Sequence, residues 1–330
     1  RPAAVTRAGG WIVSPAFDLL FLANLGWLLL LLPGFASRAG TAADFWTLYY
    51  LTLPHRWVTL ALVAADADRR EGRTRKLAVI AAAAAVVVAV AAVSTETLLC
   101  LAVVDFVWNA WHFGSQHAGV LRMYTRKVGG GSAWLERWGV RLFVTYAAIR
   151  AAGWTTGWLE GDTEALAWLR AADLGMLAVP AALLLTNAAG LTRDRVGKFA
   201  YLLSLCSLYA GFLTALSLGR VEWVVVFAAA GSLFHAVEYL AVVTHYARRR
   251  ETVGGDGPFR IVARYWLLFL GAYVLVLGSA GVWLADPAHG VAPAWAAVNL
   301  WAAFVHYAYD GMIWKLRRPE TAAALGVANP

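Results

Sequence analysis

Residues 66–97 read DADRREGRTRKLAVIAAAAAVVVAVAAVSTET, and the change of character after Lys76 decides the fold class. No charged residue occurs between Leu77 and Ser94. An α-helix rises about 1.5 Å per residue, so roughly 20 such residues cross the hydrocarbon core of a bilayer. Ahead of the run stand Arg69, Arg70, Arg73, Arg75 and Lys76, the kind of basic cluster that stays on the cytoplasmic side.

The same alternation runs along the whole chain. Ten spans are expected, at residues 11–33, 45–65, 77–94, 98–121, 138–157, 166–188, 199–218, 223–246, 264–285 and 294–314. Basic clusters follow every second span: Arg122, Arg126 and Lys127; Arg193, Arg195 and Lys198; Arg248, Arg249, Arg250 and Arg260; Lys315, Arg317 and Arg318. The intervening loops hold almost no Lys or Arg, which puts both termini in the cytoplasm. Gly129–Gly131 and Gly254–Pro258 read as turn segments on that same side. The first apolar run lacks a small-residue cleavage site and is expected to be retained.

Composition agrees. Of 330 residues, 61% are apolar and 15% charged, against roughly a quarter charged in soluble domains. A water-soluble or disordered chain is excluded, and the expectation is an all-α transmembrane bundle, one integral-membrane domain over residues 1–330. The Ala/Leu/Val runs lack the alternation of a spanning β-barrel. The formal charge of +8 lies in short clusters between apolar runs, so it reads as topology signal and membrane-lipid contact, with no nucleic acid as partner. Cys100 and Cys206 both sit in apolar runs, which leaves no disulfide framework and no CxxC motif.

Against this background the ionisable residues inside spans stand out, because they are costly there and by default mark function. His55, His112, His117, His235, His245 and His306 lie in or beside spans, whereas His289 falls in an outer loop. His112 lies ten residues before Arg122, Glu238 ten before Arg248, His306 nine before Lys315 and His55 eleven before Asp66. Those offsets are roughly 14–20 Å from the cytoplasmic ends of four like-directed helices. Four helices thus place imidazoles in one slab, and convergence of His55, His112, His235 and His306 on one cluster is expected.

Angular spacing selects the neighbours. At about 100° per residue, His235 and Glu238 are about 60° apart and His306 and Asp310 about 40° apart, so both pairs can face one centre. Asp105, Asn109, His112 and Gln116 form a polar stripe down span four. His117 is about 140° from His112 on a regular helix, so it joins only if the Gly114–Ser115 segment bends. His245 lies too far along its helix from His235 to share an ion, about 15 Å.

Neutral imidazole is the commonest metal ligand, and mixed imidazole and carboxylate sets suit non-haem iron, manganese or zinc. The candidate ligands are His55, His112, His117, His235, Glu238 and His306. Glu238 and Asp310 are the candidate catalytic groups. Asp105, Asn109, Gln116, Arg56 and Asp310 are placed around the ligands, where they orient them. Asp18 and Arg150 are expected to pair structurally.

This histidine-laden slab resembles the integral-membrane iron oxygenases: desaturases, hydroxylases and the bacterial carotene-cleaving dioxygenases. The resemblance rests on His55, His112, His117, His235, Glu238 and His306, and the chain has no His-x-x-His-His box. It implies oxidation, desaturation or cleavage of a lipophilic chain by O2 at iron, and four His-bearing helices with Glu238, more ligands than one tetrahedral zinc needs, point to non-haem, dinuclear iron. The substrate would enter from the bilayer, an external electron donor would dock on the cytoplasmic face, and the site would lie in a bacterial cytoplasmic membrane. Haem, a zinc-dependent lipid hydrolase, and a metal or proton transporter remain alternatives that use the same histidines. Cytochrome b histidine spacing and the His-Glu-x-x-His motif are both absent, and no internal repeat is evident.

Overall fold

The computed structural model describes residues 10–32, 46, 48–95, 97–153, 161–253 and 259–327. The loop at 34–44, the first part of the loop at 158–165 and the Gly254–Pro258 turn lie outside the described residues. Helix accounts for 85% of the structure and no strand occurs among the described residues, which establishes the all-α class. Among the described residues five helices are long and apolar enough to cross a membrane: Thr74–Thr95, Thr163–Ala188, Arg193–Ser217, Val221–Glu251 and Trp266–Ala285. That is the make-up of a membrane protein.

In chain order the helices are α1 (Leu53–Ala65), α2 (Thr74–Thr95), α3 (Leu99–Val128), α4 (Val140–Ala151), α5 (Thr163–Met176) and α6 (Ala178–Ala188). They continue with α7 (Val196–Ser217), α8 (Val221–Val253), α9 (Phe259–Arg264), α10 (Trp266–Ala285), α11 (Ala292–Ile313) and α12 (Pro319–Ala324). The chain divides into two compact units: residues 1–41, 110–241 and 326–330, and residues 42–109 and 242–325.

In the second unit α11 packs on α1 and α2, and α10 packs on α1 and the π-helical turn Leu48–Thr52. Small residues permit the α10 contact. A Cβ on Gly278 would stand 2.6 Å from Tyr50, and one on Gly281 would stand 2.4 Å from Leu53. Indole donors tie the helices further: Trp57 Nε1 donates to Asn299 Oδ1 at 3.1 Å and Trp301 Nε1 to the Ala81 carbonyl at 2.9 Å. Of the residues of α2 only Leu77 and Val88 are buried, so the helix presents nearly all of its Ala/Val surface outward.

In the first unit α7 is the central element, with Tyr201, Leu202, Leu205, Leu208, Tyr209 and Leu213 all buried. It packs on α4 and α6. Residues 11–33 depart from the expected continuous span. They form a helical turn at Pro15–Phe17, a π-helical turn at Asp18–Leu22 and a 3-10 helix at Leu25–Leu31, broken where Asn24 adopts φ 44°. The cause is Asp18. Its buried carboxylate accepts the amides of Ile12 (2.6 Å), Val13 (3.0 Å) and Ser14 (3.4 Å) and the Tyr124 hydroxyl (2.7 Å), which curls the chain around it. Among the described residues Asp18 is held by this cradle of neutral donors and makes no ion pair.

The expected sixth span falls within the candidate span Thr163–Ala188, whose helix is interrupted at Leu177, between α5 and α6. Pro180 explains the division, since its ring collides with the carbonyl four residues back. The Gly129–Gly131 turn is held by Lys198, whose ammonium donates to the Gly130 carbonyl (2.7 Å) and to Glu136 Oε1 (2.6 Å). Gly131 has φ +73°, and a Cβ there would lie 2.0 Å from Glu136 Oε1.

Arg150 and Asp173 form a two-pronged ion pair between α4 and α5, both contacts at 2.8 Å, and the Tyr146 hydroxyl joins Asp173 at 2.7 Å. Both residues are buried. Removing one member strands the other charge, at a cost of about 3–5 kcal/mol. Arg150→Met should therefore lower the unfolding temperature sharply. The double variant Arg150→Met/Asp173→Leu should recover most of that loss in a thermal unfolding assay. Equal loss in the single and double variants would contradict the pairing.

Candidate metal centre

His55, His112, His117, His235, His245 and His306 all lie on α-helices. In the first unit His112 and His117 come from α3, and His235 and Glu238 from α8. All four are buried, His117, His235 and Glu238 completely. The His112 and His235 rings meet edge to face with centroids 5.1 Å apart, and Phe113 stacks on His235 at 3.8 Å. His117 lies 6.2 Å from His235, centroid to centroid.

The anticipated bend at Gly114–Ser115 is not needed. Helix α3 is an unbroken α-helix from Leu99 to Val128, and His112 and His117 flank the face that meets α8. Gly114 has a different use: a Cβ there would stand 2.8 Å from the Arg141 carbonyl, so its absence lets α4 approach α3 closely.

Glu238 is the hub of this group. Its Oε1 accepts the Tyr201 hydroxyl at 2.5 Å, and its Oε2 accepts Gln116 Nε2 at 2.7 Å. His117 Nδ1 lies 3.0 Å from Oε2, within ion-pair distance but out of line for a hydrogen bond. On the far side of the ring, His117 Nε2 meets the Tyr209 hydroxyl at 3.3 Å. Gln116 also donates to the His235 backbone carbonyl at 2.9 Å.

The second unit holds His55 on α1 and His306 on α11, both fully buried, with ring centroids 5.0 Å apart and planes perpendicular. Thr59 Oγ1 lies 2.7 Å from His306 Nδ1 and donates to Asp310 Oδ1 at 3.2 Å. A hydroxyl has one proton to give. With that proton on Asp310, a neutral His306 must donate from Nδ1, which leaves Nε2 as its basic nitrogen. Asp310 Oδ2 stands 3.8 Å from Nε2.

Further residues of the expected set lie around Tyr307, next to His306. The Tyr307 hydroxyl reaches Asp105 Oδ1 (2.9 Å) and Asn109 Oδ1 (3.0 Å), and the Arg56 guanidinium sits 5.9 Å from its ring centroid. Among the described residues Arg56 makes no ion pair and faces this aromatic ring. His245 bonds the Leu325 carbonyl at 3.0 Å, and the exposed His289 stacks on Trp283.

Two rings that bind one ion at about 2.1 Å, at a near-tetrahedral angle, stand about 5 Å apart centroid to centroid. Each of the two close pairs has that separation. Sequence reasoning missed Tyr201, Tyr209, Tyr307 and Thr59. In a membrane chain a tyrosine reads first as an interface anchor, and a threonine carries no signal of its own.

A hydrogen bond to an ionised group is worth about 1.5–3 kcal/mol, and one between neutral groups about half that. Tyr201→Phe removes the shortest donor to Glu238 and should lower the unfolding temperature more than Tyr209→Phe, which loses only the 3.3 Å contact to His117. The reverse order in a thermal melt would deny Glu238 its place as hub. Comparison of the chain with protein-family models, curated proteins and solved structures found no match in any of the three.

Proposed function

We propose that this chain is a membrane-embedded metalloenzyme that binds iron through its buried histidine pairs and oxidises a lipophilic substrate with O2. The observation that carries the proposal is the double occurrence of a perpendicular imidazole pair, His112/His235 and His55/His306, at ligand-like separation inside apolar helices. Buried imidazoles are expensive in such a setting and are retained there for a use. Each unit adds a carboxylate beside a buried imidazole, Glu238 at His117 in the first and Asp310 at His306 in the second. That mixture of nitrogen and oxygen donors suits non-haem iron better than a thiolate or thioether metal.

Iron, when bound, supplies the activation of dioxygen; the protein supplies orientation and proton handling. Thr59 fixes the tautomer of His306, and Phe113 holds the plane of His235. Glu238 holds or passes a proton at Oε2, between His117 and Gln116, with Tyr201 steadying Oε1. The substrate arrives laterally from the bilayer, where a long apolar molecule already partitions. In this reading the chain has ten spans with both termini in the cytoplasm of a bacterium, and an external reductase donates electrons from that side.

Metal analysis of the purified protein tests the reading. About two iron ions per chain are expected, one for each histidine pair. His112→Ala and His306→Ala should each lower the iron content and the oxidase activity while thermal unfolding stays cooperative. Stoichiometric zinc or haem in place of iron, or full iron in both variants, would overturn it.

A further inference from the structure

Outside the histidine pairs, the second unit carries a concentration of positive charge that its own carboxylates leave unneutralised. Arg69 Nη1 donates to the Ile313 carbonyl at 3.0 Å, and Arg73 Nη1 to the Met312 carbonyl at 3.2 Å. These bonds cap the C-terminal end of α11, where cations are favoured, and draw the turn before α2 against the segment after α11. Arg73 and Lys76 are thereby gathered beside Lys315, Arg317 and Arg318. Among the described residues, none of these five has a carboxylate within salt-bridge distance. The contrast is local: Arg250, in the same unit, has Asp68 at 2.7 Å and Asp66 at 3.6 Å.

The cations act on one another. Burial first, then Arg317, Arg318, Arg73 and Lys76, hold the Lys315 ammonium below its ordinary value. Arg73 is lowered by burial, then by Arg318 and Arg69, with Glu320 alone opposing. The Nε of Arg73 is buried without a hydrogen-bond partner. An anion lodged among these groups would relieve the repulsion and supply the missing acceptor.

The neighbouring surface identifies the anion. Helix α2 leaves the cluster at Thr74, has no acidic residue in its first turn, and presents Val79, Val86, Val90 and Val93 to the outside. It is long and apolar enough to cross a membrane. Charge at the end of an outward-facing apolar helix matches a molecule with an anionic head and hydrocarbon tails. A soluble acidic partner would find no use for the valine face.

We propose that Arg73, Lys76, Lys315, Arg317 and Arg318 form a site for the phosphate headgroup of an anionic phospholipid whose acyl chains lie along α2. The site is independent of the iron proposal and is read out without enzyme activity. Purified full-length protein would be titrated with phosphatidylglycerol or phosphatidylcholine in mixed micelles, with bound lipid counted by native mass spectrometry. The wild type should prefer phosphatidylglycerol, and Arg73→Gln/Lys315→Gln/Arg318→Gln should lose at least about tenfold of that preference. Arg260→Gln, which alters an exposed cation outside the cluster, should keep it. If the triple variant fails to fold, the exposed single changes Lys76→Gln and Arg317→Gln should each reduce the preference severalfold.

Equal binding of the two lipids by the wild type, or an unchanged preference in the folded variants, would overturn the site. Inorganic phosphate that displaces phosphatidylglycerol at low millimolar concentration would assign the cluster to the free ion instead. Saturable binding of polyglutamate, lost in the variants while the lipid preference persists, would assign it to an acidic protein.

Discussion

A bilayer interior offers no water to a buried imidazole, carboxylate or guanidinium, so every such group must find its partner within the protein. Few residues of this chain test that condition, and those that do are met by specific devices. Arg150 is held by Asp173 and Tyr146; Asp18 is enclosed by three backbone amides and Tyr124. Glu238 is held by Tyr201 and Gln116. The helices carrying these groups cannot rotate by even a quarter turn without stranding a charge, so polar pairing fixes helix orientation where apolar packing alone would be permissive.

The histidine pairs follow the same rule with a different outcome. Asp18 and Arg150 are surrounded by groups that complete their bonding, the signature of a structural role. His112 and His235, and His55 and His306, stand edge to face as ring pairs, with Phe113 stacked on His235 and Thr59 at Nδ1 of His306. An imidazole that shares its pocket with another imidazole at about 5 Å is arranged as ligands are arranged around a common ion.

Much of this was legible before any coordinates. Uninterrupted runs such as Leu77–Ser94 announce a helix through their length alone, and α2 occupies Thr74–Thr95. The sequence spacing set Asp310 on the face of His306, and its carboxylate stands 3.8 Å from that ring's Nε2, while Glu238 stands 3.0 Å from His117. Three features were beyond that arithmetic. The break in residues 11–33 depends on Asp18 reaching backward to amides, a local bonding choice that hydropathy does not register. The pairing of Arg150 with Asp173 needs the packing of α4 and α5, and the roles of Tyr201 and Thr59 need their partners on other helices. His117 shows the limit of angular reasoning: about 140° from His112 on the helical wheel, it still reaches the neighbouring helix, because a neighbour spans a broad sector of the surface.

Iron held by imidazole leaves a direct spectroscopic mark. X-ray absorption at the iron edge of the purified native protein should show a nitrogen and oxygen shell with the outer-shell scattering of imidazole rings. Iron without imidazole scattering, or an empty iron edge beside a full complement of zinc, would contradict the assignment of His112, His235, His55 and His306 as iron ligands.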